Sequence, residues 1–396
     1  MAANHENNER AETQEVKTLW NINFILVLIL GFLSGTANQM VTPLLSRYAV
    51  SLGAPLALAG FIVGLMSGIS MLLRPFSGAA SDLLNRKRVM VVSGLITATA
   101  YAGYLLFSSI TAVIICRILQ GFSFSFMSVA RTTYATEYMP RDRMGEGIAF
   151  TSFGLILSQA MGPNIGLWIS ENWGYRACFF VALLLSLTGS TLLMSRPYTK
   201  KKEAFSLSKV KLSNLIAVEV IPYALIAGSF FITLQLGNAF IVLVGAERGI
   251  ANVGLFFTVF SVCTLILRPL SGRVLDKFGL PVLLYPAIIF ASLTMVLIGR
   301  ASGIVFILLA GLTKSLSHGV AIASIQGACI KKSGKERAGV AAATIHMGQD
   351  LLGALAPVIG GLLAANYGYA NMYYIFAGVM LLVAPAYMFL RRFESK

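Results

Sequence analysis

The sequence predicts an all-α integral membrane protein with 12 transmembrane helices, arranged as two parallel six-helix halves. Three observations carry this reading. Of 396 residues, 57% are hydrophobic and only 12% charged, with a mean hydropathy of +0.77, whereas a soluble domain has about 25% charged residues. Apolar runs long enough to cross a bilayer recur along the chain, and one fixed displacement relates its first half to its second. This composition excludes a soluble enzyme, a disordered chain and a nucleic-acid binder. In a soluble chain the net charge of +15 would suggest a polyanionic partner; here membrane topology accounts for it.

The elements follow in order. Residues 1–19 are polar, with Glu6, Glu9, Glu12 and Glu15; they lack the basic start of a signal peptide and read as a disordered cytoplasmic tail. The amino-terminal bundle, 20–195, holds apolar runs near 20–46, 55–77, 89–109, 112–137, 146–169 and 174–195. A basic linker spans 196–218. The carboxyl-terminal bundle, 219–396, repeats the pattern near 219–244, 251–271, 280–299, 303–329, 338–364 and 370–390. Twelve helices of about 20 residues need about 240 residues, which the chain supplies. None of the runs shows the alternation of a β-barrel strand.

Orientation follows from Lys and Arg. With the amino terminus in the cytoplasm, 22 of the 31 basic residues fall in cytoplasmic segments and four, Arg47, Arg176, Arg248 and Arg300, on the other side. By the positive-inside rule both termini are cytoplasmic. The four cysteines sit in or beside apolar runs without metal-ligand spacing and read as free thiols.

The repeat is explicit. RPFSG at 74–78 returns as RPLSG at 268–272, a displacement of 194. The same displacement pairs Gly60 with Gly254, Asp82 with Asp276, Pro163 with Pro357, Gly166 with Gly360, and Gly174-Tyr175 with Gly368-Tyr369. Parallel repeats of this kind build transporters whose halves rock about a site near the membrane midplane.

The loop between the second and third runs reads Gly78-Ala79-Ala80-Ser81-Asp82-Leu83-Leu84-Asn85-Arg86-Lys87-Arg88, and a degenerate copy begins Gly272-Arg273-Val274-Leu275-Asp276. These segments resemble the G-x-L-x-D-R-x-G-R-K signature of the major facilitator superfamily, and the likeness covers essentially the whole chain. Leu83 and Asn85 depart from the usual Arg and Gly. The resemblance implies a conformational latch made by Gly78, Asp82, Arg86 and Lys87, with Glu137 as the partner of Arg86 and Asp276 as the second-half counterpart of Asp82. A helix start carries about half a positive charge, so symmetry would place Asp82 near the start of helix 11 and Asp276 near that of helix 5. The alternative is that the basic residues only set topology.

Arg117, in Arg-Ile-Leu-Gln-Gly, resembles the intramembrane arginine of a second superfamily signature, which implies that it faces the cavity and assists proton transfer; snorkelling to the membrane edge is the alternative. Gly154 and Gly162-Pro163-Asn164-Ile165-Gly166 resemble the glycine-proline signature of exporters such as drug or metabolite/proton antiporters, and Gly353 and Pro357 repeat it. These residues imply a kink and close backbone approach where helices slide, although packing alone would also explain them.

Accounting for the acids isolates the proton site. Of 16 Asp and Glu residues, Asp350 alone lies deep in a predicted span, about 18 Å along helix 11. His346 precedes it by one turn, and Lys314 and His318, also four apart, reach similar depth on helix 10. Ionisable residues within a span are functional by default. Asp350 is therefore expected to carry the proton, tuned by Lys314, with His346 or His318 as relay; a structural Asp350–Lys314 pair is the alternative. No metal site is expected and no cofactor is needed beyond protons as the coupling ion.

Asn38, Gln39, Gln120, Ser123, Gln159 and Gln235 are the polar residues expected to line the substrate cavity. The sequence thus predicts a carrier for a small-molecule substrate, working as a monomer in the cell membrane and exporting a metabolite or amphiphilic compound against inward proton flow. An uptake symporter of the same architecture is the first alternative. A non-transporting receptor or an intramembrane enzyme is the remote one.

Overall fold

The computed structural model describes residues 18–140, 143–194, 217–333 and 338–394, which are helical almost throughout. Helices α1 (Ile22–Ser51), α2 (Leu56–Leu83), α3 (Arg86–Leu106) and α4 (Ile110–Glu137) come first. Met144–Met194 follows as 51 helical residues, about 76 Å of helix and far longer than one span needs. Gly174, at φ 80 and ψ 171, breaks it into α5 (144–173) and α6 (175–194). Then come α7 (Ile221–Glu247), α8 (Leu255–Phe278) and α9 (Leu280–Gly299). Next, α10 (304–333) joins Ile304–Lys314 to Val320–Ser333 through one π-helical turn, Ser315–Gly319. Ala338–Leu381 breaks at Gly368, φ 77 and ψ 164, into α11 (338–367) and α12, which starts at 369 and continues through Val383–Glu394.

Gly174 and Gly368 are repeat-mates and share a backbone conformation that residues with a side chain rarely adopt. The sequence places a short loop between the fifth and sixth runs; the chain instead turns on one residue. The turn after α2 shows the opposite economy. Where its repeat-mate Gly279 has a positive φ of 78, Asn85 keeps φ at −69 and its side chain accepts from the Arg88 amide at 3.0 Å, capping α3. A side-chain cap has replaced a glycine turn.

Among the described residues nine helices are long and apolar enough to cross a bilayer, and Leu255–Arg268 with Leu270–Phe278, bent by 46°, makes a tenth. Two of the nine are the double-length helices broken at Gly174 and Gly368. Exposed side chains such as Leu106, Ile266 and Val305 form the apolar surface that lipid would cover.

In the amino-terminal half the ends of α4 and α6 meet the starts of α1 and α3 at one face. Asn21 donates to the Tyr138 carbonyl at 2.7 Å and Lys87 to that of Met194 at 3.2 Å. In the other half Val220, Cys329, Ala341 and Tyr387 share a buried cluster at the equivalent face. At the opposite face Arg248, just after α7, donates to the carbonyls of Ile298, Gly299 and Ala301 at 2.8–3.0 Å and so closes the end of α9. The largest buried cluster also lies toward this opposite face and runs across both halves, from Met40, Leu44 and Val63 to Phe240, Phe256 and Ala356.

The halves touch through glycine. A Cβ added at Gly60 would stand 1.9 Å from the Pro357 carbonyl oxygen, and one at Gly64 would stand 2.3 Å from that of Ala354, so α2 and α11 cross backbone to backbone, antiparallel. The symmetric crossing joins α5 to α8. Thr258, the repeat-mate of Gly64, donates to the carbonyl of Ala160, the repeat-mate of Ala354, at 3.0 Å. Ser46 on α1 hydrogen-bonds the Ala239 carbonyl on α7.

Candidate functional site

An internal cavity of about 350 Å³ opens against α1, α3, α4, α5 and α6. Five of the six predicted cavity residues, Asn38, Gln39, Gln120, Ser123 and Gln159, line it. Polar groups on spanning helices need a wet surface or a partner; Gln120 and Ser123 also have partners, Gln120 accepting from Tyr104 and Ser123 donating to the Ser93 carbonyl. Gln235 is not among the lining residues. Its amide donates to Ser67 at 3.2 Å, tying α7 to α2 across the halves. Two arginines that the sequence reading did not single out also line the cavity: Arg131 from α4 and Arg268 from α8.

Arg117 does not face this space. It is 1% exposed, and its guanidinium donates to the carbonyls of Ile62 and Val63 at 3.2 Å each and to Gln120 Oε1 at 3.1 Å. Helix carbonyls keep a second lone pair, so α2 supplies acceptors to a charge that the apolar span does not. Arg117 therefore fastens α4 to α2 and orients Gln120, which also accepts from Tyr104 at 2.9 Å.

Asp350 is buried, 5% exposed, as its place in the sequence predicts. Its partner is not Lys314. Arg74 Nε reaches Asp350 Oδ2 at 2.6 Å, joining α2 of one half to α11 of the other. The crossing at Gly60 and Gly64 explains the pairing, because it brings these two helices together and α2 then carries Arg74 along α11 toward Asp350. His346, one turn before Asp350, hydrogen-bonds Gln349 Oε1 through Nδ1 at 3.0 Å.

Lys314 lies elsewhere, fully buried against α8. Its Nζ sits 4.6 Å from the ring centroids of both Phe256 and Phe260, and among the described residues it has no hydrogen-bond partner. One turn on, inside the π turn, His318 contacts the Phe230 carbonyl through Nδ1 at 3.2 Å; since a carbonyl only accepts, Nδ1 carries the proton. The four titratable groups expected at one level thus separate into Asp350 with His346 on α11 and Lys314 with His318 on α10.

At the face where α1 begins, Arg86 pairs with Glu137, as the superfamily resemblance implies. Both belong to the amino-terminal half, so the pair holds α3 to α4 rather than one half to the other. Asp276 is exposed near the end of α8. The side chain of Asp82 and the surroundings of Gly78 lie outside the described residues, as does the linker up to residue 216.

Of the glycines and prolines expected to mark sliding contacts, Gly162 and Gly166 press on α1, where added Cβ atoms would meet Gln39 Cβ at 2.6 Å and the Met40 carbonyl at 2.3 Å. Pro163 lies between them inside the helix. Gly353 abuts the Phe231 ring, and Pro357 offers its carbonyl to Gly60. Gly154 departs from the expectation. Its nearest contact would be 3.9 Å from an added Cβ, because this part of α5 borders the cavity instead of a backbone.

Comparison with known proteins agrees with this architecture. Residues 27–357 and 225–396 match the sequence profile of the Major Facilitator Superfamily. Over 382 residues the chain is 25% identical to the multidrug resistance protein MdtG of Escherichia coli, covering 91% of this chain and 92% of the relative. The fold is similar to the crystal structure of the nucleoside transporter NupG, with a TM-score of 0.73 at 14% identity, covering 95% of this chain and all of that one. It is also similar to a POT family transporter solved with a thioalcohol-conjugated peptide, with a TM-score of 0.77 at 11% identity over 94% and 96% of the two chains. The chain is a transporter rather than an enzyme, a multi-pass membrane protein that belongs to the Major Facilitator Superfamily.

Proposed function

We propose that this transporter exports a small metabolite or amphiphilic compound against inward proton flow, by rocking residues 20–195 against residues 219–396. The observation that carries the reading is the Arg74–Asp350 pair. It is buried, it bridges the halves, and it contains the acid that the sequence isolates deep in a span. A charged carboxylate holds Arg74 and with it α2. A proton on Asp350 cancels that charge, releases the guanidinium and frees α2 to move against α11, so protonation state and conformation become one variable. His346 is the neighbouring relay. Lys314 and His318 form a second titratable pair of the same half, outside the Asp350 step.

In this reading 12 helices span the cell membrane with both termini cytoplasmic, the transporter works as a monomer, and protons are its coupling ion with no cofactor. The glycine crossings then seal the outer face. Arg86, Lys87 and Glu137 shape the cytoplasmic end of the amino-terminal half, where Asp82 and Asp276 would reach the starts of α11 and α5 as a latch. Export is supported by the glycine-proline segment of α5 and by the similarity to a multidrug resistance protein.

The test is a solute screen in proteoliposomes containing a pH-sensitive dye, with wild type beside Asp350→Asn. Solute-dependent proton flux in the wild type and its loss in the variant are expected; a variant that couples protons normally would refute the assignment. Inverted vesicles should load solute under an inside-acid gradient. Solute uptake into right-side-out vesicles driven by inward proton flow would instead establish the symporter.

A further inference from the structure

The repeat places the same arginine in both halves and neutralises only one. Arg74 has Asp350 at 2.6 Å. Its repeat-mate Arg268 would have residue 156 in the corresponding place, and residue 156 is isoleucine. Ile156 and Arg268 both line the cavity, and among the described residues Arg268 forms no ion pair. Among the described residues it is also the one lining residue contributed by the carboxyl-terminal half.

Arg131 is the second such charge. It lies on α4 against α1, its Nη1 only 3.3 Å from where a Cβ on Gly31 would stand, and it too forms no ion pair among the described residues. Among the described residues no Asp or Glu lines the cavity. The rest of the lining includes neutral donors and acceptors such as Asn38, Gln39, Gln120 and Gln159. Two guanidinium groups without an ion pair, facing one cavity, are suited to an anion, because they recognise carboxylates and phosphates through paired hydrogen bonds.

From this we infer that the cavity binds a soluble organic anion, a carboxylate or phosphate ester, held between Arg131 of the amino-terminal half and Arg268 of the other. The inference names the substrate class for the transport reading above and rests on that reading for its role in transport. The anion does for Arg268 what Asp350 does for Arg74. Because its two contacts belong to different halves, a bound anion draws α8 toward α4 as the cavity closes. Leu30, Met66 and Phe124, also in the lining, are available to its apolar part.

The test uses the full-length protein in dodecyl maltoside and probes that share a naphthyl ring but differ in charge: 1-naphthoate, 1-naphthyl phosphate, 1-naphthylmethylammonium and 1-naphthalenemethanol. Thermal unfolding is followed with each probe at millimolar concentration. Both anions should stabilise the protein, and the cation and the alcohol should not. Arg131→Gln and Arg268→Gln should each weaken anion binding about tenfold to a hundredfold, the usual worth of one charged hydrogen-bonded contact. Arg268→Lys should restore part of the binding, which separates lost charge from lost fold. Equal stabilisation by the cation, no stabilisation by either anion, or anion binding that survives both glutamine variants would overturn the proposal. So would displacement of the naphthyl anions by phosphatidylglycerol added to the micelles, since the occupant would then be a lipid headgroup. No gradient is applied, so proton coupling does not enter this measurement; a failure of proton coupling therefore leaves this result standing, and the reverse holds too.

Discussion

Arg74 and Asp350 form an ion pair of 2.6 Å between helices that belong to different halves of the molecule, with side chains 16% and 7% exposed. A pair so withdrawn from solvent contributes little net stability over an apolar pair of the same shape, because desolvation offsets the attraction. Losing one partner is another matter, since the remaining charge is stranded.

Asp350→Asn and Arg74→Gln should each destabilise the protein by about 3 kcal/mol, the usual cost of an uncompensated buried charge. The double variant should be no worse than either single, which gives a coupling of about 3 kcal/mol or more. Thermal unfolding in detergent at neutral pH measures all four forms. Additive losses would mean that the two groups do not depend on each other, and the bridging role would have to be given up.

The crossing of α2 and α11 sets a second expectation. Gly60→Ala puts a methyl carbon 1.9 Å from the Pro357 carbonyl oxygen, a contact that backbone cannot absorb without moving. The helices must separate, and the separation should show at the face where α1 ends. Spin labels on Ser51→Cys and Ala251→Cys, both exposed and on different halves, should report a longer distance by pulsed electron resonance in the Gly60→Ala background. Transport should fall alongside. An unchanged distance would assign the seal between the halves to other contacts.

These expectations divide between what the chain announces and what only packing decides. Composition and the displacement of 194 make the helices and their symmetry legible, down to the matched breaks at Gly174 and Gly368. The cavity was largely legible because amides within apolar runs must reach water or a partner, and Asn38, Gln39, Gln120 and Gln159 reach the cavity. Gln235 has the same chemistry and found a partner in Ser67 instead, a choice set by which helices touch. Asp350 was legible as an isolated acid, and its partner was not. Helical spacing fixes the depth and face of a residue but not the neighbour opposite, so Lys314, at the right height, was the natural candidate. Arg74 stands in the repeated RPxSG motif, and asking which spanning arginine lacks a counterpart to the acid would have raised both it and Arg268. The same limit applies to Arg117, whose charge is satisfied by helix carbonyls that no sequence pattern advertises.

Lys314 tests whether a costly group is kept for function. Its ammonium nitrogen has two phenylalanine rings at 4.6 Å and no hydrogen bond among the described residues. Ring faces attract a desolvated cation by about 2 kcal/mol or somewhat more, which does not replace water around an amine. A π turn begins immediately after it and carries His318 to the Phe230 carbonyl, and such turns concentrate at functional sites. Methionine occupies a similar volume without a polar head. Lys314→Met should therefore raise stability by about 1–3 kcal/mol, the penalty that an unsatisfied buried polar group imposes, while proton-driven transport falls. The two readouts are thermal unfolding in detergent and solute-dependent proton flux in proteoliposomes. Gain in one with loss in the other identifies a residue retained against stability. A variant that is less stable would show that the amine is held by contacts stronger than these rings, and a stabilised variant with full transport would remove Lys314 from the coupling machinery.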